Sequence, residues 1–333
     1  MKIVIADANL SAHRSQLDSA LPPGAAAYWY DGMSESALHA ELAEAEVYVG
    51  GRFTAEMANS APLLRLVHVA GAGTDNIDFD ALDPSVVVAN TFNHEQSIAE
   101  YIVSVAVMLR RGFLNQHRSL QKGVWASSVY DKSLPQPNNL SAACIGFVGF
   151  GHIGKSAWNL FRAFGSTGIA VTGRGNLDAT EEGLQWAGPT TELSALMAES
   201  DIVVVSAPLT DATRSMIGAD ELAALGPNGI LINVGRGPLV DETALYEALD
   251  TCAIAGAGVD VWYDYPTSSG LGLPSAMGFG LLPNVIMTPH SSGITHQTFE
   301  DRALDIAANI GRLVRGEALH NIVGRSSVSE VLG

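Results

Sequence analysis

Three side chains in the second half of the chain combine reactivity with room to use it. Arg236 stands between two glycines in Ile232-Asn233-Val234-Gly235-Arg236-Gly237-Pro238-Leu239-Val240-Asp241. Its guanidinium can grip a carboxylate through two parallel hydrogen bonds, and the glycines clear space around it. The alternative is an Arg that simply bridges to a nearby Asp. His290 follows Thr288-Pro289 and precedes Ser291, Ser292 and Gly293, small residues that let a ligand approach. Imidazole exchanges its proton near neutral pH, which suits acid–base work on a substrate oxygen. A lone histidine is more often structural; its place at the same sheet edge as Arg236 sets this one apart. Asp260, in Gly258-Val259-Asp260-Val261-Trp262-Tyr263-Asp264-Tyr265-Pro266, ends another strand at that edge. It could accept a hydrogen bond from a carboxamide.

These residues need a sheet to hold them, and the stretch Ala142–Gly154 starts one. Cys144 to Val148 reads as a buried strand, Gly149, Gly151 and Gly154 as a turn, and Lys155 to Phe164 has helical spacing. That order leaves free backbone N–H groups at a helix N-terminus, where a pyrophosphate can bind. Further strands read as Ile169–Thr172, Asp201–Ala207, Gly229–Val234, Ile254–Val261 and Val285–Thr288. Helical segments Thr191–Ala198, Ala219–Leu225 and Asp241–Leu249 alternate with them. The pattern predicts a doubly wound nucleotide-binding domain, with ligands at the carboxyl ends of the strands.

The first part of the chain repeats the alternation without a phosphate loop. Lys2–Asp7, Val47–Gly50, Leu64–Val69 and Val86–Ala89 read as strands of a second parallel sheet. After one of them, Val69-Ala70-Gly71-Ala72-Gly73-Thr74-Asp75-Asn76 is either a loop whose backbone amides hold a carboxylate or a plain tight turn. Ser97–Arg111 has helical spacing and ties the two parts. The polar stretch Arg118–Leu140, with Trp125 and Tyr130, reads as an arm that packs on something, with a second subunit the leading candidate. Thr298–Val314 is an amphipathic helix that returns to the first domain.

A length of 333 residues suggests two domains of about 150 each. Eighteen Lys and Arg against 35 Asp and Glu, a net charge of −17, argue against a nucleic-acid partner. Cys144 and Cys252 read as small core residues in a reducing compartment. No signal peptide and no membrane-spanning run is legible, and a cytoplasmic protein is expected.

At this point the chain resembles the D-isomer-specific 2-hydroxyacid dehydrogenase family. Gly149-Phe-Gly-His-Ile-Gly154, Pro208-Leu-Thr-Asp-Ala-Thr213, Asn233-Val-Gly-Arg-Gly237, Asp260-Val261 and Thr288-Pro-His290 look like its signatures, in its order. Ala70-Gly-Ala-Gly-Thr-Asp-Asn-Ile77 is similar to its substrate-carboxylate loop. The resemblance implies an α/β fold of two Rossmann-like or flavodoxin-like domains, parallel sheets with helices on both faces. Residues 1–95 plus 294–333 would form the substrate domain, and 96–293 an inserted dinucleotide-binding domain through which homodimers form. It implies that Arg236 binds substrate, that His290 is the general acid, and that the backbone of Ala72 and Gly73 holds the carboxylate. Cofactor contacts would come from Gly149, Gly151, His152, Ile153 and Gly154, and from Thr172, Gly173 and Arg174. Ala207, Pro208, Thr213, Val234 and Gly235 would add to them, with Asp260 facing the nicotinamide beside His290, Ser292 and Gly293. No metal is implied.

Two positions depart from the family. Where it places a Glu to orient the histidine and hold it protonated, directly before Pro266, this chain has Tyr265. A phenol does not favour imidazolium as a carboxylate does, so His290 is expected to titrate near the unperturbed value of about 6.5. Asp264 is adjacent, but on an extended backbone it points the other way. Second, the acid expected about 20 residues after the glycines, for a ribose 2′-hydroxyl, is missing. Val171-Thr172-Gly173-Arg174-Gly175-Asn176 offers Arg174 instead, which favours NADP over NAD, unless Arg174 is only a solvated turn residue. The expectation is an NADPH-driven reductase of a small 2-oxoacid, of glyoxylate or hydroxypyruvate type. The alternatives are a nucleotide-binding sensor with weak catalysis, or an NADP⁺-dependent enzyme that oxidises formate-like or phosphite-like anions and needs no proton relay.

Overall fold

The computed structural model describes residues 1–30, 32, 34–267 and 270–324. The described residues divide into two units, Met1–His94 together with residues 294–324, and Glu95–Gly293.

The first unit holds β1 (Lys2–Ile5), β2 (Ala26–Trp29), β3 (Val47–Val49), β4 (Leu66–His68) and β5 (Val87–Ala89). They pair in parallel in the order β2-β1-β3-β4-β5, a flavodoxin-type order. The two faces of the sheet carry separate cores. Leu10, Leu17, Phe299, Ala303, Ile306 and Ile310 belong to one, and Leu38, Leu42, Met57 and Leu64 to the other. The long helix His296–Arg315 supplies Phe299, Ala303, Ile306 and Ile310 at steps of four, three and four, one stripe of a helix. Thr295 caps its start by accepting from the Thr298 amide, and Gly316 in a left-handed conformation ends it.

His68 is fully buried at the end of β4. Its Nε2 lies 3.0 Å from Nδ2 of Asn309, which can only donate, so His68 keeps its proton on Nδ1, 3.2 Å from the Val69 carbonyl. Burial pulls the imidazolium down to about 4. Asn309 also exchanges hydrogen bonds with both backbone groups of His320, which fixes the returning chain beside β5.

The second unit holds β6 (Cys144–Val148), β7 (Thr167–Thr172), β8 (Trp186–Pro189), β9 (Ile202–Val205), β10 (Ile230–Asn233), β11 (Gly256–Val259) and β12 (Val285–Met287). All pair in parallel, in the order β12-β11-β10-β9-β6-β7-β8. The order reverses between β6 and β9, the crevice at which doubly wound sheets bind ligands. The buried strands are near-continuous Ile and Val, as a sheet covered on both faces requires. Helices Glu95–Arg110 and His152–Ala163 cover one face, and Leu193–Glu199, Ala219–Leu225 and Glu242–Asp250 the other.

Both sheets are parallel with helices on both faces, as the alternation of segments predicts. Two strands escape that reading. β2 is Ala-Ala-Tyr-Trp and β8 is Trp-Ala-Gly-Pro, edge strands with no β-branched residue to signal them. The expected Arg118–Leu140 arm begins inside a helix, Phe113–Leu120, and only then runs irregularly. Cys252 is no core residue: it is exposed, in a left-handed turn after the helix Glu242–Asp250, and Cys144 is half-buried. Among the described residues no helix is long and apolar enough to cross a membrane.

Candidate active site

The glycines after β6 have different reasons to be glycine. Gly149 is left-handed, and a Cβ on it would lie 2.7 Å from the Ala207 amide nitrogen. A Cβ on Gly154 would lie 3.0 Å from the Gly149 carbonyl. Those two let the turn and the helix pack against the strand. Gly151, which caps the helix His152–Ala163, has nothing within 4 Å of its Cβ position. The protein itself leaves that side open, as a diphosphate against the helix N-terminus requires. The residues present therefore fit a dinucleotide. His152 opens the helix, exposed, and Ile153 packs partly into the core.

At the end of β7, Thr172 Oγ1 accepts from the Gly175 amide at 3.1 Å, while Gly173 and Arg174 are exposed. The next acid, Asp178, is occupied: it caps the helix Ala179–Glu182, accepting from the Thr180 and Glu181 amides at 2.9 and 3.1 Å. Beyond β9, Ser206 Oγ donates to the Gly149 carbonyl at 3.1 Å. Ala207 and Pro208 follow it, and Thr213 closes their loop by donating to the Pro208 carbonyl at 2.8 Å.

Arg236 leaves the end of β10 on a turn that Asn233 builds. Asn233 is buried; its Nδ2 donates to the Arg236 carbonyl at 3.0 Å and its Oδ1 accepts from the Gly235 amide at 3.1 Å. Arg236 is half-buried, and its Nη1 donates to the Gly235 carbonyl at 2.9 Å. The flanking glycines do not clear space for a ligand, contrary to the sequence expectation. A Cβ on Gly235 would lie 2.7 Å from Leu239, and one on Gly237 would lie 2.3 Å from the Trp262 carbonyl oxygen. They are small because protein packs there, with Val234 buried beside them.

Asp260 also differs from expectation. It is fully buried after β11, and its carboxylate takes four protein donors. Oδ1 accepts from Thr288 Oγ1 at 2.6 Å and the Ser291 amide at 2.9 Å; Oδ2 accepts from the Ser292 amide at 3.1 Å and from the Ser292 hydroxyl. Four bonds exhaust the lone pairs of a carboxylate. Asp260 therefore anchors the segment 288–292 and has none left for a carboxamide. Trp262 Nε1 adds a bond to the Thr288 carbonyl at 2.8 Å, and Tyr101 Oη lies 3.0 Å from Thr288 Oγ1.

His290 sits on this anchored segment in a left-handed conformation, φ 55°, a strained state for a non-glycine that its surroundings must impose. Tyr265 reaches it: the phenol oxygen lies 3.1 Å from Nδ1 and also accepts the Trp262 amide hydrogen at 3.2 Å. The imidazolium is held below its ordinary 6.5, so the sequence expectation of a near-unperturbed ring is corrected. Partial burial is the main cause; Asp260 opposes it and the Arg236 cation adds to it. Ser292 and Gly293 follow, half-buried. Arg236, Asp260 and His290 thus leave adjacent strands at one edge of the sheet. Asn233, Thr288, Trp262 and Tyr101, which hold them there, have no chemical signature of their own in sequence, although the first three lie inside the motif runs.

In the first unit, the loop after β4 turns its carbonyls inward. The Ala72 carbonyl accepts from Asn90 Nδ2 at 2.8 Å, and that of Gly71 from the Thr91 amide at 3.2 Å. Among the described residues the amides of Ala72 and Gly73 donate to no backbone carbonyl. Buried Arg302 lies beside the loop, its Nη1 3.9 Å from a Cβ position on Gly71 and its Nε donating to the Phe92 carbonyl at 2.8 Å. A cation four helical residues past the Thr298 position carries no motif, and sequence reasoning missed it. The described residues contain no cluster of His, Cys, Asp and Glu suited to a metal ion.

Residues 103–292 match the family model described as D-isomer specific 2-hydroxyacid dehydrogenase, NAD binding domain. The chain is 31% identical to a glyoxylate/hydroxypyruvate reductase B of Serratia proteamaculans over 285 residues, 85% of each chain. It is 31% identical over 266 residues to a glycerate dehydrogenase of Methylorubrum extorquens, covering 79% of this chain and 80% of that one. Among solved structures, an NADPH-dependent glyoxylate/hydroxypyruvate reductase from Sinorhizobium meliloti, in complex with NADP and malonate, is 26% identical. It superposes with a TM-score of 0.77 over 97% of this chain and 96% of that one. The D-lactate dehydrogenase of Lactobacillus jensenii with NAD+, 25% identical, gives 0.77 over 98% and 100%. The chain belongs to the D-isomer specific 2-hydroxyacid dehydrogenase family.

Proposed function

We propose that this protein is an NADPH-driven reductase that converts a small 2-oxoacid, of glyoxylate or hydroxypyruvate type, to the D-2-hydroxyacid. The observation that carries the reading is the meeting of Arg236, His290 and Tyr265 at the carboxyl edge of the seven-stranded sheet, on the domain with the open glycine turn. The likeness to glyoxylate/hydroxypyruvate reductases supports the substrate class. Gly149, Gly151, His152, Ile153 and Gly154 would hold the diphosphate, and Arg174 the ribose 2′-phosphate, the first acid after β7 being Asp178, which caps the next helix. When bound, the reduced nicotinamide supplies a hydride. Arg236 binds the substrate carboxylate and draws charge onto its carbonyl oxygen, and Nε2 of His290 gives that oxygen a proton. Tyr265 fixes the ring by its Nδ1.

We also propose a cytoplasmic homodimer built through the cofactor domain. Its irregular stretch exposes Val124, Trp125, Val129 and Tyr130, an apolar group that a second copy would cover. Light scattering tests this.

The test of the activity is NADPH loss with a panel of 2-oxoacids, followed by chiral analysis of the product. Turnover of formate or phosphite with NADP⁺, and none of any 2-oxoacid, would replace the reading with anion oxidation.

A further inference from the structure

We infer that the bound substrate anion supplies His290 with a counter-charge beyond that of Asp260, so that oxoacid binding and protonation of His290 are one coupled event. This rests on the reductase reading and extends it to how the acid is loaded.

A carboxylate beside Nδ1 can only accept, and so it favours the charged ring. The Tyr265 phenol has one proton and two lone pairs. The Trp262 amide occupies one lone pair at 3.2 Å. To a neutral ring the phenol donates its proton at Nδ1; to a charged ring it accepts with the other lone pair. Tyr265 is half exposed, 51%, so its proton can turn to water in that second state. The phenol holds the ring in both states and favours neither.

Among the described residues, two charged groups act on the ring. Asp260, after β11, is negative and favours the charged ring through its field, but its lone pairs are committed to Thr288, Ser291 and Ser292 and burial still holds the ring low. Arg236, on the turn after β10, is positive and disfavours imidazolium. A substrate carboxylate paired with Arg236 cancels that repulsion and brings a negative charge of its own. An opposite charge within about 4–6 Å raises a histidine by roughly 1–3 pH units. Free enzyme near neutral pH then carries a neutral ring and the complex a charged one. By linkage, binding draws a proton from solvent, and affinity falls up to about tenfold per pH unit above the free-enzyme value.

The experiment is calorimetric titration of oxamate into the NADPH-loaded protein at neutral pH, in buffers of different ionisation enthalpy. The expected result is uptake of about one proton per site. His290→Asn should abolish the uptake while still binding oxamate. Tyr265→Glu, with a carboxylate in place, should bind oxamate with uptake reduced toward zero. Tyr265→Phe should keep the uptake while kcat falls. Proton-neutral binding in the wild type, or uptake that survives His290→Asn, overturns the inference. If 2-oxoacids are reduced but binding is proton-neutral, only the coupling is wrong. If no 2-oxoacid is reduced and oxamate does not bind, both readings are wrong.

Discussion

The phenol oxygen of Tyr265 lies 3.1 Å from Nδ1 of His290 while accepting the Trp262 amide hydrogen. A neutral side chain thus occupies the place where a carboxylate would hold the imidazole charged.

The first consequence is a pH profile. Proton delivery needs imidazolium, which is present below the ring's value and lost as pH rises through it. In the free enzyme that value is held below 6.5 by burial and Arg236, so kcat/KM for oxoacid reduction should begin to fall at mildly acid pH. Tyr265→Glu should move the alkaline limb upward by about 1–2 units. Tyr265→Phe should leave the limb in place and lower kcat about tenfold. A log kcat/KM profile against pH decides it; a limb unmoved by Tyr265→Glu contradicts the account of His290.

Arg174 should discriminate between cofactors. A charge-assisted bond to a 2′-phosphate contributes about 1.5–3 kcal/mol. Arg174→Ala should therefore lower kcat/KM for NADPH about 10–100-fold and leave that for NADH nearly unchanged. Equal losses with both cofactors would make Arg174 a surface residue only.

Asp260 should matter as an anchor. Asp260→Asn keeps the shape but exchanges an acceptor oxygen for a donor that faces the Ser292 amide and hydroxyl, or Thr288 and Ser291. Stability should drop by about 2 kcal/mol, read by urea denaturation, with kcat falling as His290 loses its fixed position. An unchanged midpoint would mean that the segment 288–292 is held by something else.

The chain's alternation of apolar runs announces both parallel sheets, and Arg236, Asp260 and His290 stand out because each ends a strand at one edge. The roles were harder. Gly235 and Gly237 suggest ligand space, yet Leu239 and the Trp262 carbonyl fill it. Asp260 looks like a ligand group until its four donors are seen. Spacing cannot show that Tyr265 folds back onto His290, because the bend between Trp262 and Tyr265 is irregular backbone without a periodic signal. Tyr101 and Arg302 act through tertiary contacts made with distant segments, and no local pattern marks them.

The first unit offers an independent test. His68 is held down to about 4 and is neutral when folded, whereas in the unfolded chain it titrates near 6.5. The unfolded state therefore binds the extra proton, and stability is lost as pH falls from about 6.5 toward 4, by about 3 kcal/mol in all. In His68→Gln the slope of unfolding free energy against pH over that range should flatten, whatever the absolute stability. An identical slope would show that His68 is not the group responsible.

In the proposed reduction of a small 2-oxoacid, His290 is the proton donor. Single-turnover oxidation of bound NADPH by glyoxylate or hydroxypyruvate, wild type against His290→Asn, tests it most directly. The account predicts turnover in the wild type and a rate lower by about 10²–10⁴-fold in the variant, with NADPH still bound. Tight NADPH binding with no oxidation by any 2-oxoacid, or a variant as fast as the wild type, would contradict it.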